Sequence, residues 1–235
     1  MAIGSAKMLN IDLPMNFDSP YKALSIRDFW KRWHISLTKF LTKYIYIPLG
    51  GSRKGNIRTY VNTIIVFTIS GLWHGANWTF VLWGLLHGVG QITERIISKP
   101  YDKLPSIIKW SITFLVVNLL WLLFRANSVT EWGMMLQRMF AFGDLSVSTG
   151  LLSEFVLTEF KAVFTVLHIT SANTVMYAIP MMLIMILSLV GCVGLQNNYQ
   201  SKKEANWFTI IITLVVMTWS ILSFGNESVF VYYNF

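Results

Sequence analysis

The residues best placed to do chemistry are histidines. His74 stands in Leu72-Trp73-His74-Gly75, inside a stretch from 59 to 93 that contains no Asp, Glu, Lys or Arg. An ionisable side chain at such depth in apolar sequence is costly and is by default a functional one. Sixteen helical residues separate it from Arg58, roughly 24 Å of rise, so it cannot reach back to the membrane surface. A desolvated imidazole is neutral, and its free nitrogen can take the proton of a substrate hydroxyl. The pattern predicts a general base in a dry site.

Three other histidines are present. His87 follows between Gly84 and Gly88, a small-xxx-small spacing that lets helices approach closely, and is read as an interhelical hydrogen-bonding residue. His34 projects toward the apolar side of a basic segment, either into a site or as an interfacial histidine bonded to a carbonyl. His168 falls in an extracytoplasmic stretch and is given no role. A metal site is not expected, because His34, His74 and His87 are 40 and 13 residues apart and no Cys, Asp or Glu accompanies them in the apolar run. The lone cysteine, Cys192, lies in an apolar stretch, so neither a disulfide framework nor a Cys-His nucleophile is expected. What remains simplest is direct acyl transfer onto a hydroxyl.

The elements that hold these residues follow from composition. Of 235 residues, 54% are apolar and 13% charged, about half the charge of a soluble domain. The apolar residues cluster into stretches long enough for a hydrocarbon core of about 30 Å. The run 59–93 is too long for one crossing, about 52 Å as helix, and Gly75-Ala76-Asn77 breaks it into a hairpin. Each arm is short, so the turn stays submerged and needs a protein or water-filled cavity around it. Further spans are predicted at 107–124, 175–195 and 207–224. The fold class is an all-α multi-pass membrane protein of about five transmembrane helices, preceded by an amphipathic or re-entrant helix. The chain forms one domain, with a lead-in at 1–24 and the amphipathic helix and basic turn at 25–58. No signal-peptide pattern is visible in 1–18.

The formal net charge is +8, and 16 of the 19 basic residues fall in loops on one side if every span crosses. That side is cytoplasmic by the positive-inside tendency. Such charge either orients the protein against anionic lipid or attracts a polyanionic cosubstrate such as coenzyme A. Ser25-Ile26-Arg27-Asp28 resembles a capping box that starts a helix. From there Ile26, Phe29, Trp30, Trp33, Leu37, Phe40, Leu41 and Tyr44 form one apolar stripe at 3.6-residue spacing, opposite Asp28, Arg32, Ser36, Lys39 and Lys43.

Three ordered blocks carry a resemblance: Phe29-Trp30-Lys31-Arg32-Trp33-His34-Ile35-Ser36-Leu37, Tyr46-Ile47-Pro48-Leu49-Gly50-Gly51-Ser52-Arg53-Lys54-Gly55 and Gly71-Leu72-Trp73-His74-Gly75-Ala76-Asn77-Trp78. They resemble the membrane-bound O-acyltransferases, in particular the alginate O-acetyltransferase branch. Trp121-Leu122-Leu123-Phe124-Arg125-Ala126 is similar to a later block of that branch. Members are about twice this length, and the resemblance covers the family's C-terminal half.

The resemblance implies an enzyme of the cell membrane that takes acetyl from acetyl-CoA on the cytoplasmic side and passes it toward hydroxyls of an extracytoplasmic polysaccharide. His74 is then catalytic and His34 a second active-site residue. Trp30, Trp33, Trp73, Asn77 and Trp78 are expected around the substrate, and Arg32, Lys39, Arg53 and Lys54 around the acetyl-CoA, with no metal. Implied partners are membrane lipid, polysaccharide machinery and an extracytoplasmic acetyltransferase or esterase-like protein, and no nucleic acid. The alternatives are D-alanyl transfer to teichoic acid, a transporter or channel subunit in which His74 relays protons, and an inactive fragment that only interacts with other membrane proteins.

Overall fold

The computed structural model describes residues 2–141, 174–197 and 206–222. His168, Lys161, Lys202, Lys203 and the end of the predicted span 207–224 lie outside the described residues. Among the described residues there are helices and no strands. The chain divides into two compact units, Met1–Leu195 and Gln196–Phe235.

In the first unit the hairpin is the frame. Its arms are α4, Gly55–His74, and α5, Trp78–Ile96, following three short helices, α1 Ala2–Met8, α2 Ile26–Arg32 and α3 Ile35–Leu41. The arms touch backbone to backbone at two glycines. A Cβ on Gly71 would run into the carbonyl of Phe80, and one on Gly84 into that of Phe67. Gly88 extends the seam against Ile64 and Phe67, as the small-xxx-small spacing predicts. Asn77 caps α5, its Oδ1 accepting from the Thr79 N–H at 3.1 Å. Its Nδ2 donates to the Asn127 carbonyl at 3.0 Å and ties the hairpin tip to the turn at 126–128.

The arms carry buried polar residues, Thr59, Asn62, Ser70, Thr79 and His87. In α4, Thr59 and Thr63 return their hydroxyls to the Gly55 and Thr59 carbonyls, both at 2.8 Å. Asn62 donates to the Gly51 carbonyl at 2.9 Å, fixing the loop whose Gly50, Gly51 and Gly55 adopt positive φ.

The helix predicted to continue past Trp33 is broken there. The first half starts as expected: Ser25 Oγ accepts from the Asp28 N–H at 2.9 Å, and Asp28 pairs with Arg32 at 2.9 Å. At Trp33 the backbone becomes extended, and His34 sits in the left-handed region at φ 47. For a non-glycine residue that costs about 1–2 kcal/mol. The lead-in segment offsets it with long-range bonds. Asn16 takes the Ile35 N–H on its carbonyl at 2.9 Å, and the Ser36 N–H and Oγ on its Oδ1 at 3.0 and 2.8 Å. The kink thus restarts the chain as α3, with its first amides already satisfied.

A short helix α6, Ser98–Asp102, leads to α7, Ser106–Arg125, and then to α8, Val129–Phe140. Among the described residues α7 is the one helix both long and apolar enough to cross a membrane. Its Val117, Leu120 and Leu123 join Ala23, Ile26, Phe29, Trp30 and Trp83 in the core. The Tyr101 hydroxyl donates to the Leu24 carbonyl at 2.8 Å, and Trp110 Nε1 to that of Tyr21 at 2.8 Å, so α6 and α7 are pinned to the start of α2. The predicted span 175–195 is α9, Thr174–Leu189, continued as a π-turn Val190–Gly194.

The second unit contains α10, Trp207–Leu222, capped by Asn206, whose Oδ1 accepts from the Thr209 N–H at 2.8 Å. Its apolar side chains are largely exposed.

Candidate active site

His74 is the last residue of α4, half-buried among aromatic rings from three elements. Its ring centroid lies 5.4 Å from Trp83 of α5, 5.1 Å from Phe124 of α7 and 4.9 Å from Trp73. Trp121 closes the cluster, 5.8 Å from Trp83 and 5.1 Å from Trp33. Aromatic rings flank the half-buried imidazole on three sides, and its nitrogens remain free to take a proton.

The kink at Trp33 brings His34 to the same place. Its ring is 5.9 Å from Trp73, which also touches His74, and 6.0 Å from Phe17. His34 Nδ1 is buried without a hydrogen-bond partner, and burial holds the imidazole below its ordinary pKa. The two predicted site histidines, 40 residues apart, therefore share one aromatic surround.

His87 is elsewhere. It is fully buried, and its Nδ1 accepts from Trp30 Nε1 at 3.2 Å, joining α5 to α2 as the interhelical reading expects. Trp30 is a buried core residue that also lines a cavity between α2–α3 and the hairpin, and Asn77 caps α5. Trp33 packs on Trp121, while Trp73 and Trp78 stand exposed at the hairpin tip. Trp83, Phe124 and Phe17 around the histidines were not singled out from sequence. Phe124 falls in the Trp121–Ala126 block, which was the available signal.

A cavity of about 260 Å³ lies between α2–α3 and the hairpin, on the basic side. Arg27, Lys31 and Arg95 line it together with the apolar Leu37, Val66 and Phe67 and the hydroxyls of Thr38 and Ser70. The cations expected around a cosubstrate, Arg32, Lys39, Arg53 and Lys54, do not line it. Arg32 is paired with Asp28, and Lys39, Arg53 and Lys54 are exposed. Neither histidine lines the cavity, yet each stands four residues from a side chain that does. His34 is four residues before Thr38 on α3, and His74 four residues after Ser70 on α4. Among the described residues no three His, Cys, Asp or Glu side chains gather as a metal site would require.

The sequence profile of the MBOAT, membrane-bound O-acyltransferase family, matches residues 1–130, more than half of the chain. The chain belongs to the membrane-bound O-acyltransferase family. Both histidines, the cavity and the hairpin fall within the matched residues. Among relatives of this family, the "Peptidoglycan O-acetyltransferase" of Helicobacter pylori is 39% identical over 246 residues, covering 100% of this chain and 45% of that protein. The "Probable alginate O-acetylase AlgI" of Pseudomonas syringae pv. tomato is 42% identical over 151 residues, 63% of this chain and 29% of that protein. The "Teichoic acid D-alanyltransferase" of Streptococcus thermophilus is 29% identical over 98 residues, 39% of this chain and 24% of that protein. The chain spans less than half the length of these curated relatives.

Proposed function

We propose that this chain carries the acyl-transfer site of a membrane O-acetyltransferase, which moves acetyl from acetyl-CoA on the cytoplasmic side to hydroxyls of an extracytoplasmic glycan. The observation that supports this is a cation-lined cavity whose wall residues Thr38 and Ser70 stand four residues from His34 and His74. Arg27, Lys31 and Arg95 suit the phosphates of coenzyme A, and the apolar Leu37, Val66 and Phe67 suit the arm that bears the thioester.

In this reading His74 takes the proton of the acceptor hydroxyl as its oxygen attacks the thioester carbonyl. The new C–O bond forms, the C–S bond breaks, and the thiolate leaves into the cavity and receives that proton. His34 orients the reacting groups. The exposed rings of Trp73 and Trp78 offer flat faces on which sugar rings can lie. The protein sits in the cell membrane in several passes, α4, α5, α7, α9 and α10 being the five, and works beside an esterase-like extracytoplasmic partner. D-alanyl transfer to teichoic acid is the second reading, favoured by the similarity to the streptococcal relative, and would require a carrier protein as donor.

The test is transfer of labelled acetyl from acetyl-CoA to peptidoglycan or alginate by membranes containing the chain. Label in the glycan is the expected result. Label delivered only from an aminoacyl carrier protein would replace the acetyl reading by the D-alanyl one.

A further inference from the structure

A second cavity, of about 550 Å³, lies where α2 starts, α5 ends and α6 leads into α7. Three cations, Arg27, Arg95 and Lys109, line it together with three carboxylates, Asp28, Glu94 and Asp102. Opposite charges so close together gain by pairing, yet these do not pair across the cavity. Asp28 is held instead by Arg32, and Glu94 by the Ile26 and Arg27 amides. Lys109 Nζ donates to the Asp102 backbone carbonyl at 2.9 Å, which leaves that residue's carboxylate unused. The Arg27 and Arg95 guanidiniums and the Asp102 carboxylate make no hydrogen bond or ion pair among the described residues.

The surroundings point to a lipid. Lys109 stands in the first turn of α7, the helix long and apolar enough to cross a membrane, so the cavity lies at headgroup level. Ile108, Ile112 and Leu115, spaced i, i+4 and i+7, form an exposed apolar stripe that runs about 10 Å along α7 from that level. A soluble ion has no use for the stripe, whereas an acyl chain covers it. The balanced charge then selects the headgroup. An anionic one would set its charge against three carboxylates, while a phosphate joined to a primary ammonium gives each sign a partner. Arg27 and Arg95 line both cavities, and the five N–H donors of each guanidinium suffice for a phosphate on either side. Asp102 and Lys109 line the second cavity alone.

We propose that this cavity binds the headgroup of a zwitterionic aminophospholipid, phosphatidylethanolamine. Its phosphate meets Arg27, Arg95 and Lys109, its ammonium meets Asp102, and an acyl chain lies along Ile108, Ile112 and Leu115. The experiment titrates the full chain in detergent with phosphatidylethanolamine, phosphatidylcholine and phosphatidylglycerol of equal short chain length, and with free phosphoethanolamine. Phosphatidylethanolamine is expected to bind tightest, and free phosphoethanolamine at least about 10-fold more weakly, the worth of two buried methylenes. Asp102→Asn is expected to weaken phosphatidylethanolamine about 10-fold, the lower end for a hydrogen bond to a charged group. The same variant leaves phosphatidylcholine unchanged, because a quaternary ammonium has no N–H to donate, and a purely structural role does not produce that split. Lys109→Gln is expected to weaken both lipids and gives a second reading should the asparagine variant fold badly. Equal binding of phosphatidylethanolamine and phosphatidylcholine, tighter binding of phosphatidylglycerol, or unchanged affinity in both variants overturns the zwitterion site. Free phosphoethanolamine binding as tightly as the lipid overturns the lipid as its source.

Discussion

Trp30→Phe tests whether His87 is a fastener or a reacting group. Trp30 is 4% exposed and His87 0%, and the 3.2 Å bond from Trp30 Nε1 to His87 Nδ1 is the hydrogen bond that holds the imidazole, since His87 Nε2 is buried without a partner. Removing the indole N–H strands Nδ1 as well. Leaving one buried acceptor unsatisfied costs about 1–3 kcal/mol. The smaller ring adds roughly 1 kcal/mol for the space it vacates beside Phe67 and Trp83. His87→Leu strands the Trp30 N–H instead and incurs a penalty of the same order. The double variant Trp30→Phe/His87→Leu removes both polar groups, so its destabilisation is expected to fall short of the sum by about 1–2 kcal/mol. Thermal unfolding in detergent of the four proteins of this cycle measures the coupling. Additive effects, or a His87→Leu protein with unchanged stability and abolished acetyl transfer, would refute the fastener role and move His87 into the chemistry.

Gly71→Ala places a methyl group against the Phe80 carbonyl and forces the hairpin arms apart. A destabilisation of about 1–3 kcal/mol is expected, read as a lowered thermal midpoint, whereas Gly133→Ala, inside α8 with open space around its Cβ position, is expected to hold or slightly raise it. Glu94→Ala strips the acceptor from the Ile26 and Arg27 amides at 2.5 and 3.1 Å, at the N-terminus of the helix leading to His34. Amide hydrogen exchange at residues 26 and 27 should accelerate markedly, while α7 keeps its protection.

Much of the site was legible because it depends on local pattern. The break at Gly75-Ala76-Asn77, the seam at Gly84 and Gly88, the Ser25 cap and the interhelical bond of His87 each follow from spacing within a few residues. The kink at Trp33 and His34 does not, because the acceptors that make it possible belong to Asn16, some twenty residues away. Periodicity continued the helix through that point, since the apolar stripe is preserved on both sides. The cavity cations show the same limit. Arg32 falls in the predicted basic face but is claimed by Asp28 one turn away, while Arg95 reaches the cavity from the far end of α5. Trp83 and Phe124 meet His74 only through tertiary packing.

The central claim is that His74 is the base for acyl transfer, and the rate of acetyl transfer by His74→Ala is its most direct measure. With insertion, thermal midpoint and acetyl-CoA binding unchanged, the account predicts a rate at least about 100-fold below wild type, the usual scale of a lost general base. A variant transferring acetyl within a few-fold of the wild-type rate would contradict it.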